Sequence, residues 1–252
     1  MSEALKTNSV ARFRVEDWAA LSPGLEARED WMRWSRGAGS RQGDSSPAAV
    51  VLPAMLRRRI SAVGQMAFQA GSRLSEQRTA RFIFCSRHGE FDRTLRILHS
   101  LIREEPVSPA DFSLSVHNAL AGLLSIAWEN PAGHTVISAG ADSFGYGLVE
   151  GVACLKAASG DRVMVVYFDD LLPHPYDEID GSAETCLAVA LLIAPPGYDG
   201  CDFSIGLGTR DRTGQPQSAS GQALDFIRFM LSGEREKKSL GERTLWHWQR
   251  CD

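Results

Sequence analysis

The chain contains no C-x-x-C pair, no apolar run approaching the ~20 residues a membrane span needs, and no excess of basic over acidic residues. Each absence removes a class of protein. The five cysteines, Cys85, Cys154, Cys186, Cys201 and Cys251, are odd in number and widely spaced, which argues against a disulfide framework or a zinc knuckle. Phe84-Cys85 and Ala153-Cys154-Leu155 are apolar settings, where a thiol is ordinarily inert packing. With 27 Lys and Arg against 31 Asp and Glu the net charge is −4, so no generic grip on phosphate backbones is expected and nucleic acid is not an expected partner. The apolar run from Leu187 to Pro196 suits a buried strand and no more. Met1 to Ala11 is polar and lacks the apolar core of a signal peptide, so the expected location is the cytoplasm.

What remains is globular: 252 residues, 44% hydrophobic and 23% charged, enough for a sizeable core in one domain. Arg12 to Asp17 reads as a short strand, followed by a stretch containing Trp18, Trp31 and Trp34. Gly37 to Pro47 reads as a Gly/Ser/Asp-rich loop. From Pro53 to Gly71 a helix is expected, with Met66, Ala67, Ala70 and Leu74 on its apolar side. Its Arg57-Arg58-Arg59 run reads as a solvated first turn, or as a contact for an acidic partner. Ala80 to Ser86 reads as a buried strand. Glu90 to Arg103 reads as a helix with Phe91, Leu95, Leu98 and Ile102 on one face, stopped by Pro106. Phe112 to Trp128 carries a helical pattern of small residues. A strand at His134 to Ala139, a helix at Phe144 to Ala158 ending on Ser159-Gly160, and strands at Val163 to Phe168, Thr185 to Ala194 and Phe203 to Leu207 follow. A last helix runs from Gln222 to Leu231, and a charged tail, Gly233 to Gly241, closes on Leu245, Trp246 and Trp248, which are expected to dock on the body. The alternation implies a layered α/β fold around a largely buried sheet.

Several residues invite a catalytic reading. Asp169-Asp170 ends a strand, where carboxylates bind metals, but it opens a loop to Asp180 dense in Pro, Asp and His, and paired surface aspartates are routine; no metal or other cofactor is expected. Gly145, Gly147 and Gly151 resemble a phosphate-binding G-x-G-x-x-G only loosely: the third glycine is a residue late and no acidic ribose partner follows. Close helix packing explains them better. Ser143 lies between a strand and a helix, as a nucleophile would, and with His117 it suggests a hydrolase, yet its setting is not G-x-S-x-G.

Together the segments resemble a known family. Ser108 to Trp128, with the His117-Asn118 pair, small residues and the Ser125-Ile126 dipeptide, is similar to the part of β-ketoacyl-acyl carrier protein synthases that leads into the nucleophile strand. His134 to Leu148 resembles the strand and turn presenting the active-site cysteine, and Gly160-Asp161-Arg162 with Val163 to Tyr167 resembles the next turn and buried strand. The likeness extends from Ala11 to Leu207 and is densest from Ser108 to Phe168. It implies a thiolase-like half, a layered α-β-α arrangement with a mixed central sheet, truncated relative to a full ketosynthase. Residues 1–252 would form one such domain, with a core of about 11–207 and a C-terminal helix and tail at 208–252.

The departures carry the functional expectation. Counting back from Gly160 puts the family's cysteine at Ser143 or Asp142, and neither is a thiol; Cys154 lies in the following helix. A serine ester would be a poorer acyl donor than a thioester and would need its own base. The half carrying the decarboxylation histidines has no counterpart, and Trp246-His247-Trp248 does not resemble it. The resemblance therefore implies no catalytic residue and a role like that of chain length factors, most like the factor of bacterial aryl polyene pathways. The implied partner is a full-length β-ketoacyl synthase in a heterodimer, with polyenoyl chains delivered transiently by acyl carrier protein. Implied interface residues are His117 and Asn118 together with the strand His134, Thr135, Val136, Ile137, Ser138 and Ala139. Its polar–apolar alternation suits an edge that another sheet extends. Implied tunnel-lining residues are Phe112, Phe144 and Tyr146. The competing readings are a serine-dependent acyltransferase or thioesterase acting through Ser143, and a carrier-protein docking module without influence on chain length.

Overall fold

A computed structural model describes residues 8–38, 52–157, 162–176, 186–197, 202–209 and 221–251. Most of the Gly37–Pro47 loop, Thr185, Cys201, the Gly160-Asp161 turn and the end of the Asp169–Asp180 loop lie outside them. One mixed sheet organises the chain. Its strands are β1 (Asn8–Leu21), β2 (Arg81–Cys85), β3 (His134–Ile137), β4 (Val163–Asp169), β5 (Leu187–Ala194), β6 (Phe203–Thr209), β7 (Glu236–Leu240) and β8 (Thr244–Arg250). They form an 8-stranded sheet in the order β3-β2-β4-β5-β1-β6-β8-β7. β2 pairs in parallel with β3 and β4, whereas the pairings from β4 through β5, β1, β6 and β8 to β7 are antiparallel.

The continuous apolar runs are the middle of the sheet: every residue of β4 and β5 is buried. Successive side chains of a strand point to opposite faces, and this splits the core in two. Val163, Val165 and Tyr167, with Val189, Leu191 and Ile193, face the helices α1 (Arg28–Ser35), α7 (Ser143–Ala157) and α8 (Gln222–Ser232). Met164, Val166 and Phe168, with Ala188, Ala190 and Leu192, face α3 (Ala62–Ser72) and α6 (His117–Ala127). Three short or surface helices complete the set: α2 (Ala54–Arg57), α4 (Phe91–Ile102) and α5 (Pro109–Leu114). The result is the α-β-α layering expected from the alternation.

Four elements differ from the expectation. β1 is a 14-residue strand and not a short one: Arg14 to Leu21 pair with β5 and Asn8 to Phe13 with β6. Ala19 and Ala20 are weak strand formers, and tertiary pairing overrides that preference. The Pro53 to Gly71 helix is broken, because Ser61 caps α3 by accepting the Gly64 amide at 3.1 Å. The Phe112 to Trp128 pattern is shared by α5 and α6, divided at Val116, which is extended (φ −77, ψ 143). The tail is two paired strands, with Trp246 and Trp248 fully buried between β8 and α7.

α7 lies unusually close to the sheet. A Cβ on Gly147 would stand 2.6 Å from the Cys85 sulfur, and one on Gly151 2.9 Å from Ile193 and 3.0 Å from Val165. The glycines serve packing, as their spacing suggested. Among the described residues no helix is long and apolar enough to cross a membrane. Two alanine substitutions separate packing from propensity. Gly147→Ala should cost about 1–2 kcal/mol despite the better helix former, because the core must shift. Gly122→Ala in α6, where a Cβ meets nothing within 4 Å, should gain about 0.5–1 kcal/mol. Urea midpoints of the two variants moving in the same direction would contradict this account of α7.

Candidate functional site

The turn between β3 and α7 is where a nucleophile would be presented. Gly140 takes φ 57, the left-handed region open to glycine. The Asp142 amide bonds the Ala139 carbonyl and the Ser143 amide the Gly140 carbonyl, each at 3.1 Å, so the chain turns sharply into the helix. Ser143 is 1% exposed. Its hydroxyl donates to the Gly140 carbonyl at 2.6 Å and accepts the Ala139 amide at 2.9 Å. Asp142 is 2% exposed. Its Oδ1 accepts the Trp246 indole N–H at 2.6 Å and its Oδ2 the Arg243 amide at 2.9 Å. Both side chains, Asp142 and Ser143, are thus committed to structure. Cys154 lies 11 residues along α7, roughly 16 Å away. Its sulfur is near Glu150 at 3.7 Å, and burial first, then Glu150, pushes its pKa up.

The histidines do not gather at this turn. His117 opens α6 with its ring against Gly89 and its Nδ1 buried without a partner. His134 stacks on Phe82 at 5.4 Å, where burial and then Arg81 lower its pKa. His247 pairs with Glu236 at 3.0 Å across β7 and β8. Among the described residues the Ser143 hydroxyl bonds backbone alone, and no histidine reaches it. Asp169 is equally occupied: it accepts the Ser86 hydroxyl and the Arg87 and His88 amides at 2.8–3.0 Å, holding the loop after β2. Asp170, its pKa raised by burial, shares a hydrogen bond with Cys186, whose thiol is pushed up to about 12 by burial and by that carboxylate. Among the described residues no group of three or more His, Cys, Asp or Glu side chains is placed to hold a metal.

β3 is the edge of the sheet, and each of its residues is half-buried. α6 packs on β3, α5 on α6 and α4 on α5, and all three helices show apolar residues to solvent. The expected face of α4 is buried only at Leu95; Leu98 and Ile102 point outward, Ile102 at 79% exposure. Phe112 of α5 is 68% and Ile126 of α6 67% exposed, with Val116 exposed between them. Of the other marked residues, Phe144 is buried in an aromatic cluster with Tyr167, Phe226 and Trp248, and Tyr146 lies edge-on to Trp246 at 5.1 Å. Asn118 is exposed at the start of α6.

Spacing in the sequence did not reveal the network that holds α5 and Phe112. Arg93 bonds Glu90 at 2.8 Å, Asp111 at 3.2 Å and the Arg59 carbonyl at 2.6 Å; Ser61 donates to Glu90 at 2.7 Å, and Arg96 reaches Asp111 at 2.9 Å. The i,i+3 spacing of Glu90 and Arg93 was its one local trace.

The chain belongs to the β-ketoacyl synthase, N-terminal domain family, whose profile it matches over residues 31–249. No curated protein matches it by sequence. Among solved structures it is similar to a chain of a ketosynthase (ApeO) in complex with its chain length factor (ApeC) from Xenorhabdus doucetiae, with 31% identity and a TM-score of 0.82 over 95% of this chain and 99% of that one. The fold is shared with the ishigamide ketosynthase/chain length factor, at 9% identity and TM-score 0.72 over 95% of this chain and 99% of that one. It is shared too with a β-ketoacyl synthase from Burkholderia phymatum, at 11% identity and TM-score 0.60, where the match spans 89% of this chain and 71% of that one. The thiolase-like architecture and the continuation of the family past Leu207 into β8 follow.

The Asp111 carboxyl is held below its ordinary range chiefly by its hydrogen bond to Arg96, with Arg93 adding to the effect. A carboxyl depressed in the folded state stabilises it fully above the unfolded value of 3.8 and loses that contribution as pH falls through the folded value. Asp111→Asn should therefore lose about 1 kcal/mol at pH 7, and its gap to wild type should close as pH falls below 3.8. Urea denaturation at pH 7 and at pH 3 checks the sign.

Proposed function

We propose that the chain is a non-catalytic subunit, similar to a chain length factor, that pairs in the cytoplasm with a full-length β-ketoacyl-acyl carrier protein synthase and helps shape the tunnel for the growing acyl or polyene chain. The observation that carries this is the turn into α7: it keeps the shape that presents a nucleophile, yet offers only Asp142 and Ser143, each bonded into the structure. Acyl transfer needs a group free to attack a thioester and a base to activate it. A hydroxyl whose proton is directed at a backbone carbonyl, with no histidine bonded to it, is poorly placed for that. The resemblance to a chain from a ketosynthase/chain length factor complex, over nearly the full length of both, supports the same reading.

The interface would be the β3 edge, His134 to Ala139, with His117, Asn118 and the exposed apolar faces of α4, α5 and α6 beside it. A free strand edge with Ile126 exposed on the adjoining α6, and Val116, Phe112 and Ile102 exposed along the helices that lead away from it, is a surface costly to leave in water. Of the tunnel-lining candidates, Phe112 has a ring open to a partner, whereas Phe144 and Tyr146 belong to α7, which packs on the opposite face of the sheet from α6. Arg57, Arg58 and Arg59 are exposed and have no ion-pair partner among the described residues, which suits a transient contact with an acidic carrier protein.

Co-expression with a full-length β-ketoacyl synthase tests the pairing. The two should co-purify, and the chain alone should self-associate. Phe112→Asp with Ile126→Asp should weaken the pair by roughly 30-fold or more, the loss of about 2 kcal/mol typical of one interface anchor. A monodisperse monomer without affinity for any ketosynthase would overturn the proposal. In the reconstituted pair, Phe112→Ala should change product length; an unchanged product favours a docking module instead. Covalent acylation of the isolated chain from a carrier-protein thioester, abolished by Ser143→Ala, would establish the acyltransferase reading.

A further inference from the structure

The geometry points to the β7–β8 hairpin as a built-in closure over the turn before α7, latched by Asp142, so that this subunit cannot load an acyl group there even if a thiol is supplied. The inference rests on the family reading of that turn, and not on the pairing with a synthase.

Asp142 directly precedes α7, the position whose side chain ordinarily accepts an amide in the first turn of its own helix. Here it does not. The carboxylate is turned outward to the hairpin, to the Trp246 indole on β8 and to the Arg243 amide in the connecting turn. The Gly145 amide of the first turn is capped instead by the Gln222 side chain of α8 at 2.8 Å. Two distant residues thus exchange what one local residue would have done, and the carboxylate is released to hold the hairpin. Its charge is met by N–H donors at the positive end of a 15-residue helix.

The hairpin fits the turn closely. The Trp246 ring lies over Gly145, where a Cβ would come within 2.6 Å of it. The Glu242 side chain lies against Gly140, and Gly241 passes the Asp142 carboxylate where any Cβ would overlap it. Tyr146 seals the side, its ring edge-on to Trp246 and its hydroxyl 3.4 Å from Thr244. A thioester reaching the end of α7 must first lift this hairpin and break both bonds to Asp142.

The test is Ser143→Cys in the full chain, with alkylation by iodoacetamide followed at the introduced thiol by peptide mass spectrometry. The closure predicts a rate at least roughly tenfold below that of the same thiol in guanidinium. Adding Trp246→Phe, which keeps an aromatic ring but removes the indole donor, should raise the rate by roughly tenfold, as loss of a hydrogen bond to a charged group would. A thiol that reacts in the folded chain as fast as in denaturant overturns the closure. An unchanged rate in a double variant with native circular dichroism overturns the Asp142 latch. Hydrogen exchange of the Gly140 to Gly145 amides in the wild-type chain gives an independent readout: protection supports the closure and peptide-like exchange refutes it. A chain that binds no ketosynthase yet protects the thiol would separate this inference from the proposed function.

Discussion

α7 and the sheet approach each other so closely that no side chain fits between them at Gly147 and Gly151. A protein interior packs at the density of an organic crystal, so this contact fixes the height of the helix above Cys85, Val165 and Ile193 to within a few tenths of an ångström. The position of the turn at Gly140 to Ser143 follows, because it is the first turn of the same rigid body. So does the aromatic cluster: with α7 low, Phe144 reaches Tyr167, Phe226 and Trp248, which ties α8 and β8 to the middle of the sheet. A larger residue at either glycine would move the turn as well as loosen the core.

How much of this was legible depended on whether the signal was local. β4 and β5 were readable because a strand buried on both faces is a continuous apolar run, and Val163 to Phe168 is one. α7 was readable from its length and small residues, and the synthase-like turn from the order of three weak segments. β7 and the second half of β1 were not: Glu236, Lys237 and Lys238 resemble a solvated tail, and Ala19-Ala20 prefers no strand. Only pairing with β8 and β5 makes them strands. The α4 period was read correctly, but periodicity names a face without saying whether protein or water covers it, so Leu98 and Ile102 proved exposed. The bond between Asp142 and Trp246 joins residues 104 apart and has no local trace.

The two edges of the sheet differ in a way that matters for assembly. An unpaired edge strand recruits other strands unless something blunts it. β7 is blunted by charge, with Glu236 and Lys238 exposed along it. β3 has no such protection: it is short, carries no carboxylate, lysine or arginine, and adjoins α6, which shows Ile126 to solvent. One edge discourages contact and the other invites it. That asymmetry favours a single defined partner on the β3 side over open-ended stacking.

The turn before α7 puts both of the side chains it carries, Asp142 and Ser143, to structural use. At the N-terminus of a helix the aligned peptide dipoles favour a negative charge. Asp142 supplies that charge, and its carboxylate accepts from a strand hairpin over one hundred residues away. The turn thereby becomes a joint between β3, α7 and β8. Because β3 carries the free edge, the joint also steadies the surface that a partner would meet.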